Sequence, residues 1–268
     1  MSKTRLRDAR KAHEGMDLES SREAHSERAI KESLEEPTIH DVARGQYIGD
    51  MVYGAIDGIV TTFAVVSGVA GAELSAGIVL ILGFANLFAD GLSMAVGNYL
   101  GAKSENEYKR RERYREEWEI EHLPEEEKQE IRQIYHRKGF TGELLERVVE
   151  VITRDKKQWV DTMLLEELHI VPEQTSPIMS GFMTFASFVI AGFVPLFSYV
   201  LSYFVPFFAE HAYPLSVGLT FATIFIVGSL RVYVTGKRWW TSGLEMLLVG
   251  GATAVVAYFI GYLLRGLA

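Results

Sequence analysis

Two aspartates stand where hydrocarbon should surround them: Asp57 within the apolar run 51–72 and Asp90 within the apolar run 77–102. A carboxylate at mid-bilayer costs about 2.5 to 3.5 kcal/mol even on lenient scales, so an acidic residue in such a run marks an ion or proton path. Helical spacing gives each aspartate a polar stripe. Asp50, Asp57 and Thr61 share one face of the first run, and Asn86, Asp90, Met94 and Asn98 recur every fourth residue on the second. Asp and Asn supply oxygen ligands, and a Met thioether among them tilts a site away from Mg²⁺ and Ca²⁺ toward a transition metal. Each residue also has a plainer reading. Met94 alone would be apolar filler. Asn86 and Ser93 would be hydrogen-bonding glue between helices, and Gly54-x-x-x-Gly58 and Gly97-x-x-x-Gly101 close-packing positions. A purely structural reading leaves Asp57 and Asp90 without an account.

A second group of carboxylates lies in 103–176. Glu112 with Glu116, Glu116 with Glu119, Glu127 with Glu130, and Met163 with Glu167 are three or four residues apart. Like charges so placed repel on a helix, and a bound cation would relieve them. The alternative is a salt-laced solvated helix, with Arg113 beside Glu117 and Arg132 near Glu130, each exposed pair contributing little. Glu119-x-x-His122 and Glu166-x-x-His169 have the spacing used by di-iron carboxylate bundles. That keeps open a membrane-tethered di-iron oxidase or iron sensor. Such a site also needs a Glu from each of two further helices, and His122 falls just before Pro124, at an expected helix end.

The elements that must position these residues are helices. The chain is 48% hydrophobic and 23% charged, yet its mean hydropathy of +0.09 averages a mosaic of charged segments and nearly charge-free runs. Each run approaches the ~20 residues that cross a bilayer as helix, and an open sheet would leave unpaired backbone groups in lipid. The fold class is therefore all-α, with five transmembrane helices at about 51–72, 77–102, 178–204, 215–235 and 242–264 and a helical insertion between the second and third. Pro195 is expected to kink the third span, and Pro206 and Pro214 to flank its exit loop. Four regions follow: a polar, partly disordered tail at 1–48, the first two spans at 49–102, the insertion at 103–176 and the last three spans at 177–268. Within the insertion, helices are expected at 125–137, at 143–153 with Leu144, Val148 and Val151 inward, and at 157–168.

Lys103, Lys109, Arg110, Arg111, Lys237 and Arg238 fall on one side of this topology, which the positive-inside rule makes cytoplasmic. The N-terminus and the insertion are then cytoplasmic and the C-terminus outside. A net charge of −8 argues for cations and against nucleic acid, and the absence of cysteine excludes disulfides and thiolate sites. In the tail, His13, His25 and His40 share no tight spacing and suggest at most loose metal binding. No signal peptide is expected, since the first fifty residues are too charged for one.

The run Gly49-Asp50-Met51-Val52-Tyr53-Gly54-Ala55-Ile56-Asp57-Gly58 resembles the vacuolar iron transporter family. So does Ala89-Asp90-Gly91-Leu92-Ser93-Met94-Ala95-Val96-Gly97-Asn98-Tyr99-Leu100, leading into Ala102-Lys103-Ser104-Glu105, and so does Gln158-Trp159-Val160-Asp161-Thr162-Met163 with Glu167. The resemblance extends from about residue 45 to the C-terminus, and five spans with one Glu-rich insertion is also that family's plan. It implies a homodimeric exchanger that moves Fe²⁺, or Mn²⁺, out of the cytoplasm against inward proton flow, along a path between protomers lined by the first helix. It implies Asp57 and Met94 as ligands in the membrane and Asp50 at the cytoplasmic mouth. It further implies Glu116, Glu119, Glu127, Glu130 and Glu167 as cytoplasmic ligands, with Met163 as their thioether. The metal is cargo, and no permanent cofactor is implied. Two positions depart from plant members: Asn86 stands where they carry Glu, with Asp90 a candidate replacement one turn away, and Leu164 where they carry a second Met. An inner cell membrane is the expected location, with a vacuolar membrane the alternative.

Overall fold

The computed structural model describes residue 12 and residues 15–26, 42–171, 175–230 and 238–267. His13, His40, Lys237 and the expected end of the fourth span at 231–235 lie outside the described residues. Contacts divide the chain into two units, 1–44 and 45–268. In the first, α1 (Leu18–Ala24) begins at Asp17, whose carboxylate accepts hydrogen bonds from the Glu19 and Ser20 amides at 3.0 and 3.2 Å. Those amides would otherwise be orphaned at the helix start.

All regular structure among the described residues of the second unit is helical. The elements are α2 (Val42–Gly71), α3 (Ala76–His122), α4 (Pro124–Arg137), α5 (Gly142–Thr153), α6 (Lys156–Glu166), α7 (Pro177–Gly192), α8 (Val194–Leu201), α9 (Pro206–Leu230) and α10 (Trp239–Leu264). Among the described residues five segments are long and apolar enough to cross a membrane: α2, α3, α7 with α8, α9, and α10. The break between α7 and α8 falls at Phe193, with Pro195 in the first turn of α8, where a proline interrupts the ladder. Ser216 donates to the Pro195 carbonyl at 2.6 Å and Ser198 to the Ala212 carbonyl at 2.7 Å. These bonds tie the kinked span to α9.

Three expectations are corrected. The second span and the first helix of the insertion are one helix, α3, of 47 residues. At 1.5 Å per residue it is about 70 Å long, more than twice the ~30 Å hydrocarbon core, so its charged half stands beyond its apolar half. No proline falls between Ala102 and His122, and the Lys109–Glu105 pair at 2.9 Å bridges one turn there. Residues 206–214 form helix rather than loop, with a local break at His211 (φ −123°, ψ 18°), and the turn is confined to 202–205. In α5 the inward face is Leu145, Val149 and Ile152, with the expected Val148 partly buried against the same core, while Leu144 and Val151 are 60% and 55% exposed. The inward residues join Ile120, Ile131, Trp159, Val160, Met163 and Leu164 in the core of the insertion.

Contacts fix how the spans run. The Tyr47 hydroxyl accepts from the Ser176 amide at 2.8 Å, and a Cβ on Gly54 or Gly58 would come within 2.4 Å of the Thr184 carbonyl or 2.3 Å of the Phe188 carbonyl. Partner numbers rise together, so α2 and α7 are parallel, and the missing side chains let their backbones touch. Gly83 faces Leu196 and Gly181 faces Ala95, so α3 is antiparallel to the kinked span. Gly97 and Gly101, by contrast, have nothing within 4 Å where a Cβ would be, so they are not packing positions within the chain. Glu73, in the α2–α3 turn, pairs with Arg265 just past α10 at 3.1 Å. The starts of α2, α7 and α10 therefore share one end with the charged half of α3.

Candidate functional site

The two polar stripes face each other. Asn98 on α3 donates to Asp50 Oδ1 on α2 at 2.9 Å, and Asn86 reaches Thr61 Oγ1 at 3.5 Å. Between these rungs Asp57 feels the charge of Asp90. Met94 lies between Asp90 and Asn98 on α3, against the apolar core of the spans. Asp57, Asn86, Asp90, Met94 and Asn98 are all half-buried, so the seam is neither sealed in the protein nor fully open. α7 adds a residue that the sequence reading did not select. Asn98 also bonds to Thr184 Oγ1 at 2.6 Å, and the Thr184 hydroxyl donates to the Ser180 carbonyl at 3.0 Å. The second oxygen of Asp50 is buried without a partner, an expensive state for an acceptor unless something else binds it. The signal for Thr184 was the pair Ser180-x-x-x-Thr184, one helical turn apart in an apolar run.

The acidic group assembles from α3, α4 and the end of α6. Glu116, Glu119, Glu127, Glu130 and Glu167 lie within electrostatic reach of one another. Glu116 is 1% and Glu127 5% exposed, and each keeps one carboxylate oxygen, Oε2, buried without a partner. Burial pushes the Glu127 carboxyl up to about 8, with the charges of Glu130, Glu116, Glu119 and Glu167 adding to the effect. Glu167, at the more open rim, is pushed up to about 7 by partial loss of water and by Glu130 and Glu116, against the pull of Arg115. Near neutral pH Glu127 keeps its proton and Glu167 is partly protonated, and a dication beside them would favour the charged forms. Among the described residues no three His, Asp or Glu side chains converge on one point as a bound metal would require; the carboxylates are gathered rather than clasped. Met163 is fully buried in the apolar core one turn before Glu167.

Arginines thread this group, as the salt-laced alternative in the sequence reading allowed. Arg115 lies 2.9 Å from Glu116, 3.5 Å from Glu119 and 3.6 Å from Glu112. Glu112, 8% exposed, also accepts from Arg111 at 2.9 and 3.1 Å. Arg113 reaches across to Asp161 and ties α3 to α6. Of the Glu-x-x-His repeats only Glu119 belongs to this group. His122 stacks on Trp118 and bonds to its carbonyl at 2.8 Å. Glu166 pairs with Lys138 at 2.5 Å, and His169 is exposed in a left-handed conformation (φ 55°) beyond the end of α6.

The model of the VIT family matches residues 48–262 of the chain. A protein of Toxoplasma gondii named "Vacuolar iron transporter" is 35% identical over 267 residues, 97% of this chain and 88% of that protein. One of the same name from Plasmodium berghei is 34% identical over 271 residues, 99% of this chain and 98% of its own length. "Vacuolar iron transporter 1" of Arabidopsis thaliana is 31% identical over 226 residues, 84% of this chain and 89% of that protein.

Proposed function

The chain belongs to the VIT family, and we propose that it exports a divalent metal, Fe²⁺ first and Mn²⁺ second, from the cytoplasm in exchange for protons. The family is one of transporters rather than enzymes, and its relatives are named for iron. The observation that carries the reading for this chain is the seam between α2 and α3, where carboxylates, amides and a thioether line up along two helices that are otherwise apolar. Asp50 receives the ion at the mouth, Asp57 and Asp90 hold it in the membrane, Met94 favours a transition metal over Mg²⁺ or Ca²⁺, and Asn86 supplies a neutral oxygen. A carboxylate cannot hold a proton and a dication on the same oxygens, so outward passage of metal draws protons inward with no further machinery.

Lys103, Lys109, Arg110, Arg111 and Arg238 mark the cytoplasmic end. There Glu116, Glu119, Glu127, Glu130 and Glu167 gather metal and deliver it to the seam along α3, while Met163 offers a sulfur one turn away. A second copy of the chain covers the half-open seam and makes the path continuous. The relatives' names favour a vacuolar membrane, ahead of an inner cell membrane.

The test is influx into liposomes that contain the purified chain and an iron-sensitive dye. Fe²⁺ influx that requires an acidic interior, accompanied by loss of internal protons, is expected. Influx indifferent to the pH gradient would contradict exchange. No influx, with O₂ consumed on adding Fe²⁺, would revive the tethered oxidase.

A further inference from the structure

We infer that Arg115 is the resident cation of the acidic group, which a divalent metal must displace in order to bind. The inference rests on the reading of that group as a metal collector and adds a specificity-determining residue to it. Arg115 sits on α3 between Glu112, Glu116 and Glu119, three residues after the first, one before the second and four before the third. Its guanidinium lies within 2.9 to 3.6 Å of all three carboxylates. Its charge also reaches Glu167. Thus the charge that holds the metal-free carboxylates together is supplied by the chain itself.

The guanidinium cannot leave by losing a proton, because it stays charged at any pH the protein meets. To make room for an arriving metal, Arg115 has to move. A dication bound to Glu116 would lie next to the guanidinium, and the two would repel. The geometry leaves an exit: the Arg115 side chain is 47% exposed, while that of Glu116 is 1% exposed. Arg115 can swing into water while Glu116 stays in place. The buried Oε2 atoms of Glu116 and Glu127, which have no partner, are acceptors that the guanidinium leaves unused.

Selectivity follows from charge. Na⁺ or K⁺ would replace one unit charge with another and lose the fork geometry that Arg brings to carboxylates, so a monovalent ion gains nothing by entering. Fe²⁺ or Mn²⁺ brings twice the charge. Arg115 therefore sets the threshold below which the carboxylates stay occupied by the chain's own cation.

The experiment measures Mn²⁺, a redox-stable probe, binding to the full chain in detergent at pH 8, together with melting temperature with and without Mn²⁺. Arg115→Gln is expected to bind Mn²⁺ about tenfold more tightly than wild type, a tenfold change in Kd being a modest change in binding free energy. Its metal-free form should melt lower, so that Mn²⁺ raises the melting temperature by more than in wild type. Arg115→Lys keeps the charge without the fork and should fall between; it carries the test if Arg115→Gln does not fold. Unchanged or weaker Mn²⁺ binding by both variants would overturn the inference. A purely structural Arg115 would lower the melting temperature equally with and without metal and leave Kd alone, which also overturns it. Absence of Mn²⁺ binding by wild type, or binding that survives Glu116→Ala with Glu127→Ala, would refute the collector itself.

Discussion

Asn98 has one way to orient its amide. The Thr184 hydroxyl has a single proton and gives it to the Ser180 carbonyl, so toward Asn98 it can only accept. The NH₂ group must therefore face Thr184 and Asp50 together, fixing Asp50 with one oxygen committed and the other free. Asn98→Asp sets a carboxylate against both acceptors. It should cost about 1 to 3 kcal/mol of stability through unsatisfied buried groups and raise the metal concentration needed for half-maximal transport; a thermal melt and a transport titration check both. Beyond the charged end of α3, burial pushes the Glu127 carboxyl on α4 up to about 8 in the fold against an ordinary 4.5. A raised acid pKa means that the folded form keeps its proton after the unfolded chain has lost its own. The Glu127 contribution to metal-free stability is thus complete below about 4.5 and is lost as pH rises through about 8. Melting temperature without metal should fall between pH 5 and pH 8.5, Mn²⁺ should cancel the fall, and Glu127→Gln should flatten it. The aspartate and asparagine stripes were legible from spacing because intramembrane polar residues are rare. The commitment of Thr184 was not, because its partner Asn98 comes from another helix, whereas Arg115 meets Glu112, Glu116 and Glu119 along its own helix, where spacing alone already brings them together.

At the scale of elements, α3 joins the two sites. Its apolar half carries Asn86, Asp90, Met94 and Asn98, and its charged half carries Glu112, Glu116 and Glu119. The sequence reading placed a boundary near residue 102, where composition changes. Composition reports solvent, not backbone, and the backbone has no breaker until Pro124. Asn106, 5% exposed, donates to the Thr175 carbonyl at 2.7 Å and anchors the charged half to the start of the third span. Lys103→Pro, at an exposed position on this helix, should cost about 3 kcal/mol or more of helix stability through a lost bond and a ring clash. Mn²⁺ binding by the insertion should survive while transport at low metal drops, which binding and uptake titrations on the same preparation can separate. The inward face of α5 was the weakest part of the reading. Leu144 and Val151 match helical spacing as well as Leu145, Val149 and Ile152 do, and contacts with α4 and α6, not the pattern, choose between them, while Val148 lies at the edge of the chosen face. The kink at Pro195 was legible because proline acts locally, whatever surrounds it.

At the scale of the whole chain, five apolar segments run in alternating directions, with the starts of α2, α7 and α10 at one end beside the charged half of α3. Lys103, Arg110, Arg111 and Arg238 lie at that end, and the proposed sidedness rests on these basic residues rather than on the net charge of −8. The outer surface is rich in exposed apolar side chains, among them Ile81, Phe88, Ile190, Leu248 and Phe259, as lipid or a second copy requires. Exchange on shared carboxylates is tested most directly by recording Fe²⁺ influx and proton efflux together in vesicles carrying wild type or Asp57→Asn, at equal protein content and with an acidic interior. Wild type should move both ions, and Asp57→Asn should move neither while retaining the oligomeric state of wild type on a sizing column. Near-normal Fe²⁺ influx by Asp57→Asn would contradict a mechanism in which that carboxylate alternates between metal and proton.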